Sequence, residues 1–194
     1  MKKIFLLLMS SIFLTSCGKS ELHVEASDST AAEEERDWHT WDECSQLPGD
    51  NACNFTFKNQ KGEDVELYDH YGKIIVVDLS AMWCGVCQRI AAEGDALVAE
   101  HGSENLVWLT LLVEDESGMP PDQSDLQRWV DMYSVESDVL AADRSIVDDN
   151  GKTGYPVSGW PTVVVIDQEM KIYNGVTGWS RVLVSTWIED LKVD

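Results

Sequence analysis

The chain has 194 residues, with 35 acidic against 14 basic side chains and a formal net charge of -21. Such a surface repels the phosphate backbone of nucleic acid and offers no polybasic patch to an anionic bilayer. The length suits one domain and an appended segment.

The first segment reads as an export signal. Lys2 and Lys3 precede an apolar run, residues 4–14, that is too short to remain in a bilayer as a spanning helix. It ends in Leu14-Thr15-Ser16-Cys17, which resembles the bacterial lipobox, where cleavage falls before a cysteine that then carries lipid. The expected organisation is a lipoprotein signal peptide at 1–16, a lipidated Cys17 with an acidic flexible linker over 17–42, and a folded domain over 43–194. Removal of 1–16 leaves 178 residues and a charge near -23, because Lys2 and Lys3 go with it. Gly18, in place of Asp, resembles the sorting pattern of outer-membrane lipoproteins. Within it, residues 18–37 lack apolar periodicity, and twenty flexible residues reach roughly 25 Å. No later stretch reaches 18 apolar residues, so no transmembrane helix is expected. The implied compartment is oxidising, where paired cysteines persist as disulfides.

Cys44 and Cys53 enclose Pro48-Gly49-Asp50-Asn51, a strong turn sequence, and can close a small loop. A structural disulfide is expected there, with a relay of electrons to other cysteines as the alternative. Residues 55–57 and 65–67 flank a turn containing Gly62 and read as a hairpin. The apolar run 74–79, interrupted by Asp78, reads as a buried strand. It leads into Trp83-Cys84-Gly85-Val86-Cys87, and a helix is expected from 84 to 100, stopped at His101-Gly102. A Cys-x-x-Cys past a buried strand, opening a helix, is a redox arrangement. Both sulfurs fall in the first turn, where unpaired N–H groups stabilise a thiolate.

Residues 106–113 form a second buried strand. Over 122–133, Leu126, Trp129, Val130 and Tyr133 recur at helical spacing, with Asp or Ser available as cap. Residues 162–166 and 171–176 make a further strand pair, and Val184, Trp187, Ile188 and Leu191 mark the face of a last helix. Alternating strands and helices followed by a hairpin give an α/β domain with a central mixed sheet.

From about residue 52 onward, the sequence resembles thioredoxin-like proteins, in particular the TlpA/ResA type of exported, membrane-tethered thiol-disulfide oxidoreductases. The resemblance rests on Asn54-Phe55-Thr56-Phe57 with Gly62, on Gly72-Lys73 before the strand, on Trp83-Cys84-Gly85-Val86-Cys87, and on Gly159-Trp160-Pro161-Thr162. Residues 114–156 are similar to the extra helical insertion of that group. There are departures. Val86 stands where many relatives have Pro, Cys53 where they often have Pro, and Ile90-Ala91-Ala92 lacks thioredoxin's kinking proline. No Lys is placed to accompany the acid on the sheet.

The resemblance implies a thioredoxin-like fold with an N-terminal hairpin extension, and a role for each matched residue. Cys84 is the nucleophile and Cys87 resolves the mixed disulfide. Asp78, six residues before Cys84, matches thioredoxin's buried acid and would take a proton from Cys87. Pro161 would be cis, placing the backbone of residue 160 beside the sulfurs, and Trp83 and Trp160 would border them as a docking surface. The implied activity is disulfide exchange on exported protein or peptide disulfides, as a reductase, with a membrane or periplasmic redox partner and a domain facing the periplasm. The residues alone leave the direction open. A non-catalytic binding module with the same groove is the alternative. No metal or other cofactor is expected: Cys44-x8-Cys53 is a poor zinc knuckle, and the histidines show no ligand spacing. A peroxiredoxin-like peroxidase normally has a reactive cysteine standing alone after a Thr-x-x motif. A copper carrier of the related exported type needs Cys-x-x-x-Cys. Neither pattern is present.

Overall fold

The computed structural model describes residues 43–192. The signal segment, Cys17 and the linker expected over 17–42 lie outside the described residues. The domain opens with a loop, then β1 (Thr56–Lys58) and β2 (Asp64–Glu66), an antiparallel hairpin turned at Gly62. A 3-10 turn (Leu67–His70) leads to β3 (Ile74–Ala81). Then come α1 (Gly85–Ile90), α2 (Glu93–His101), β4 (Leu106–Glu114), α3 (Gln123–Tyr133), β5 (Asp138–Ala141) and a second 3-10 turn (Arg144–Ile146). The chain ends in β6 (Thr162–Ile166), β7 (Ile172–Thr177) and α4 (Arg181–Leu191).

Five strands form one mixed sheet in the order β5-β4-β3-β6-β7. β3 pairs in parallel with β4, and β4 with β5; β6 and β7 run antiparallel to the rest. All eight residues of β3 are buried, as a central strand covered on both faces requires. On one face, Ile75, Val77, Leu79, Leu109, Leu111 and Val113 pack with Phe55, Leu67, Tyr68, Tyr155 and Met170 from the hairpin, turns and loops. On the other face, Ile74, Val76 and Trp108 pack with Leu97 of α2 and with Val184, Trp187 and Ile188 of α4. Further along that face, Leu112 and Val139 meet Cys87 and Ala91 near α1, and Leu126 and Trp129 of α3.

Two expectations are corrected. The helix expected over 84–100 is two helices, broken at Ala91-Ala92, where Ala92 leaves helical geometry (φ -92, ψ 1). Two alanines do not dictate a break; packing does. Ahead of the break the chain packs against Trp129 and Leu112, and beyond it α2 lies on Trp108. Gly94 permits that approach, because a Cβ there would fall 2.4 Å from the indole. The second correction is β5, a strand inside the segment whose resemblance pointed to helical insertion alone. Its edge is covered by the hairpin turn. Asn59 bridges Leu140, while the Gln60 side chain accepts the Val139 N–H at 2.9 Å and donates to the Ser137 carbonyl at 3.1 Å.

The other elements fall within a few residues of their expected positions. α3 is capped by Asp122, whose carboxylate accepts the N–H groups of Ser124 and Asp125 while Asp125 returns a bond to the Asp122 N–H. Val184, Trp187 and Ile188 of α4 are buried as their spacing predicts. No helix among the described residues is long and apolar enough to cross a membrane.

Candidate active site

The site forms where β3 ends. A register shift between Ser80 and Ala81 releases the chain from the parallel ladder, and the Met82 N–H donates to the Glu114 carbonyl at 2.9 Å. The Cys84 N–H turns back to the Ala81 carbonyl, and Gln88 Nε2 donates to the Met82 carbonyl at 2.7 Å. Cys84 is thereby the N-cap of α1, and its Sγ accepts the Cys87 N–H at 3.2 Å. Cys84 and Cys87 are joined as a disulfide with their Cα atoms 5.2 Å apart. Cys87 is fully buried and Cys84 is 7% exposed, so Cys84 is the sulfur an incoming group meets first. Trp83, beside it, is 49% exposed.

Asp78 lies on the sheet face that carries α1 and α2, paired across β3 with Thr110 on one side and Val163 on the other. It is 1% exposed. Ser80 Oγ donates to its carboxylate at 2.8 Å, and Thr110 adds a second hydroxyl bond. Thr110 in turn accepts the Trp108 indole N–H at 3.1 Å. Burial dominates over these bonds and pushes the Asp78 carboxyl up to about 7. It therefore stands ready both to hold and to release a proton near neutrality.

The loop before β6 completes the arrangement. The Trp160–Pro161 peptide is cis. Thr162 Oγ1 donates to the Gly159 carbonyl at 2.8 Å, and Ser158 and Thr177 share a hydroxyl bond at 3.0 Å, tying the loop to β7. Trp160 is half-buried and packs against the cluster that holds Cys84 and Cys87.

Two residues at this site were absent from the sequence reading. Glu114, at the end of β4, is 5% exposed. Its Oε2 accepts the Trp83 indole N–H at 2.8 Å, and its Oε1 accepts Arg144 Nε at 2.6 Å as well as Arg144 Nη2. The Arg144 guanidinium lies 5.7 Å from the centroid of the Trp160 ring. In the sequence, Glu114 looks like the polar exit of an apolar strand. Its partnership with Ala81 across β3 and β4, immediately before the Cys-x-x-Cys turn, is the signal that would have found it.

Cys44 and Cys53 are also disulfide-bonded, with Cα atoms 4.9 Å apart. The structure does not bring them to the other pair. Their loop is held by the Ala52 N–H on the Met170 carbonyl and the Gly49 N–H on the Ile172 carbonyl. Those carbonyls lie where β6 ends and β7 begins, whereas Pro161 precedes the start of β6, roughly 15 Å away along a five-residue strand.

A disulfide at the start of a helix on a mixed five-stranded sheet, beside a cis-proline, defines a thioredoxin-like thiol-disulfide oxidoreductase. Residues 48–174 match the model of the AhpC/TSA family, and the chain belongs to that family. It is 22% identical over 147 residues to the thiol-disulfide oxidoreductase ResA of Halalkalibacterium halodurans, covering 74% of this chain and 77% of that one. Its fold is similar to that of a putative thiol:disulfide interchange protein DsbE from Chlorobium tepidum (TM-score 0.61, 22% identity, 76% of this chain and 99% of the other). It is similar also to the pneumococcal exposed lipoprotein thioredoxin Etrx1 from Streptococcus pneumoniae (TM-score 0.56, 23% identity, 71% and 99%).

Proposed function

We propose that this protein is an exported, lipid-anchored reductase of disulfides in exported proteins. The observation that carries the reading is the Cys84–Cys87 pair, with one sulfur capping α1 and the other fully buried, on the sheet face that also buries Asp78. In the reduced enzyme, the Cys84 thiolate attacks a substrate disulfide. One substrate sulfur leaves as a thiolate and a mixed disulfide forms. Asp78 accepts the Cys87 proton, directly or through water, and Cys87 attacks Cys84 Sγ. The Cys84–Cys87 disulfide forms, the second substrate sulfur is released, and the substrate has gained two electrons. A dithiol partner at the membrane or in the periplasm returns the pair to the reduced state. Trp83, Trp160 and the backbone around Pro161 receive the substrate segment.

The name thiol-disulfide oxidoreductase carried by the ResA relative supports the chemistry. The paired cysteines favour it over a peroxidase with a solitary reactive cysteine. The position of Cys44–Cys53 at the far end of β6 supports a structural role for that bridge over a relay. A redox titration with mass mapping of alkylated cysteines tests all three. The expected result is a reversible Cys84–Cys87 couple near thioredoxin's roughly -270 mV, with Cys44–Cys53 still oxidised at about -300 mV. A couple near roughly -120 mV would make the protein an oxidant instead. If only Cys44 and Cys53 exchange, the site is a non-catalytic binding groove.

The anchor rests on Leu14-Thr15-Ser16-Cys17 and on the lipoprotein nature of the Etrx1 neighbour. Cys17→Ser should move the protein from the membrane fraction, and abolish incorporation of labelled palmitate, in the cell that makes it. Unchanged fractionation and labelling would remove the anchor. Fractionation of the two membranes would test the outer-membrane assignment suggested by Gly18.

A further inference from the structure

One carboxylate and the guanidinium bound to it link four separated segments beside the disulfide. Glu114 closes β4, Trp83 belongs to the turn before α1, Arg144 to the 3-10 turn after β5, and Trp160 to the loop before β6. The two oxygens of Glu114 are divided between them: Oε2 takes the Trp83 N–H, and Oε1 takes two nitrogens of the Arg144 fork. Bonds to an ionised acceptor are stronger than neutral ones, and a guanidinium keeps a fixed plane that ammonium does not. The guanidinium carbon lies over the Trp160 ring, 5.7 Å from its centroid. Trp83 has a single polar atom and is half-exposed, so its bond to Glu114 decides where a large apolar plate stands.

We propose that Glu114 and Arg144 are positioning residues that set Trp83 and Trp160 as two preformed aromatic walls for a substrate segment carrying apolar side chains next to its disulfide. The inference rests on the oxidoreductase reading and specifies how that site holds its substrate. Free indoles would have to be ordered at each encounter, and this ordering weakens binding. The linked pair is ordered beforehand. The arrangement explains why a charged residue is kept nearly buried at a strand end, where an apolar residue would pack at less desolvation cost. It acts on substrate affinity, since neither Glu114 nor Arg144 meets the sulfurs in the contacts described.

The test uses the full chain in detergent, re-reduced in each cycle by excess dithiothreitol with the uncatalysed exchange subtracted, and two disulfide substrates. One is a peptide with an intrachain disulfide flanked by Phe and Leu; the other is oxidised glutathione. Glu114→Gln and Arg144→Ala should each raise KM for the peptide about tenfold while kcat changes less than about threefold. KM for glutathione disulfide should move less than about twofold. In a Trp83→Phe background, where no indole N–H remains for Glu114 to hold, the effect of Glu114→Gln should fall to that of Arg144→Ala in the same background, since only the Arg144–Trp160 link is left to lose. Arg144 is largely solvent-exposed, so Arg144→Ala keeps the test alive if Glu114→Gln misfolds. Calorimetric binding of the same peptide to the oxidised protein is read in parallel. A tenfold loss of affinity in the variants supports the positioning role even if wild type shows no turnover, an outcome that would sink the oxidoreductase reading alone. Peptide KM and affinity within twofold of wild type in folded variants would overturn the proposal, as would a loss confined to melting temperature.

Discussion

Cys84→Ser is expected to lower disulfide reduction on the order of 10³-fold or more, to the level of the uncatalysed exchange. Cys87→Ser should instead accumulate substrate covalently bound to Cys84. The asymmetry follows from burial. Cys84 is the sulfur at the surface of the site and the cap of α1, while Cys87 has no exposed surface and is bonded to Cys84. A serine hydroxyl at 84 has no thiolate to offer at neutral pH, and the helix N-terminus cannot compensate for that. A serine at 87 leaves the first step intact and removes the second, so the mixed disulfide persists. Non-reducing gels and mass spectrometry of the two variants with a protein disulfide read both outcomes. Trapping on Cys87 in Cys84→Ser, with none on Cys84 in the reciprocal variant, would reverse the assignment of roles.

Asp78→Asn should stabilise the protein and slow it. Burial pushes the folded-state carboxyl up to about 7 from its ordinary value of 3.8, which the unfolded chain keeps. Between those values the folded protein holds a proton that the unfolded chain has lost, so unfolding becomes easier as pH rises. The contribution is fully present below pH 3.8 and is gone above about pH 7. At about 1.4 kcal/mol per pH unit this amounts to roughly 4 kcal/mol. Asn cannot ionise, so the variant should match wild type in acid and exceed it by up to roughly 4 kcal/mol at pH 8. Urea unfolding of the oxidised protein at pH 4, 6 and 8 measures this, and parallel pH curves for the two proteins would rule out Asp78 as the source. Turnover should fall about 10²-fold at neutral pH, because in the proposed mechanism Cys87 loses its proton acceptor. Gain in stability with loss of activity is the signature of a group retained for its chemistry.

Much of this site was legible along the chain because its parts are contiguous. Strand, turn, Cys-x-x-Cys and helix start follow one another over residues 74–90, and local rules of burial, capping and spacing act within that span. Asp78 could be placed by its distance from Cys84 in sequence, since a continuous buried strand carries it to the same region. The capping box at Asp122 and the apolar face of α4 are likewise local patterns. Three features were decided elsewhere. The break at Ala91-Ala92 depends on how closely Gly94 meets Trp108, a residue fourteen positions on in another strand. β5 pairs in parallel with β4, and its outer edge finds partners in the turn at Asn59 and Gln60, about eighty residues away. Glu114 gains its meaning only when the parallel register sets it across from Ala81 and the later chain returns Arg144 to it. Local sequence determines which way a residue points and what its segment can become. Which distant groups share one buried carboxylate is set by packing, because desolvation and hydrogen bonding are settled only when the last neighbour is in place.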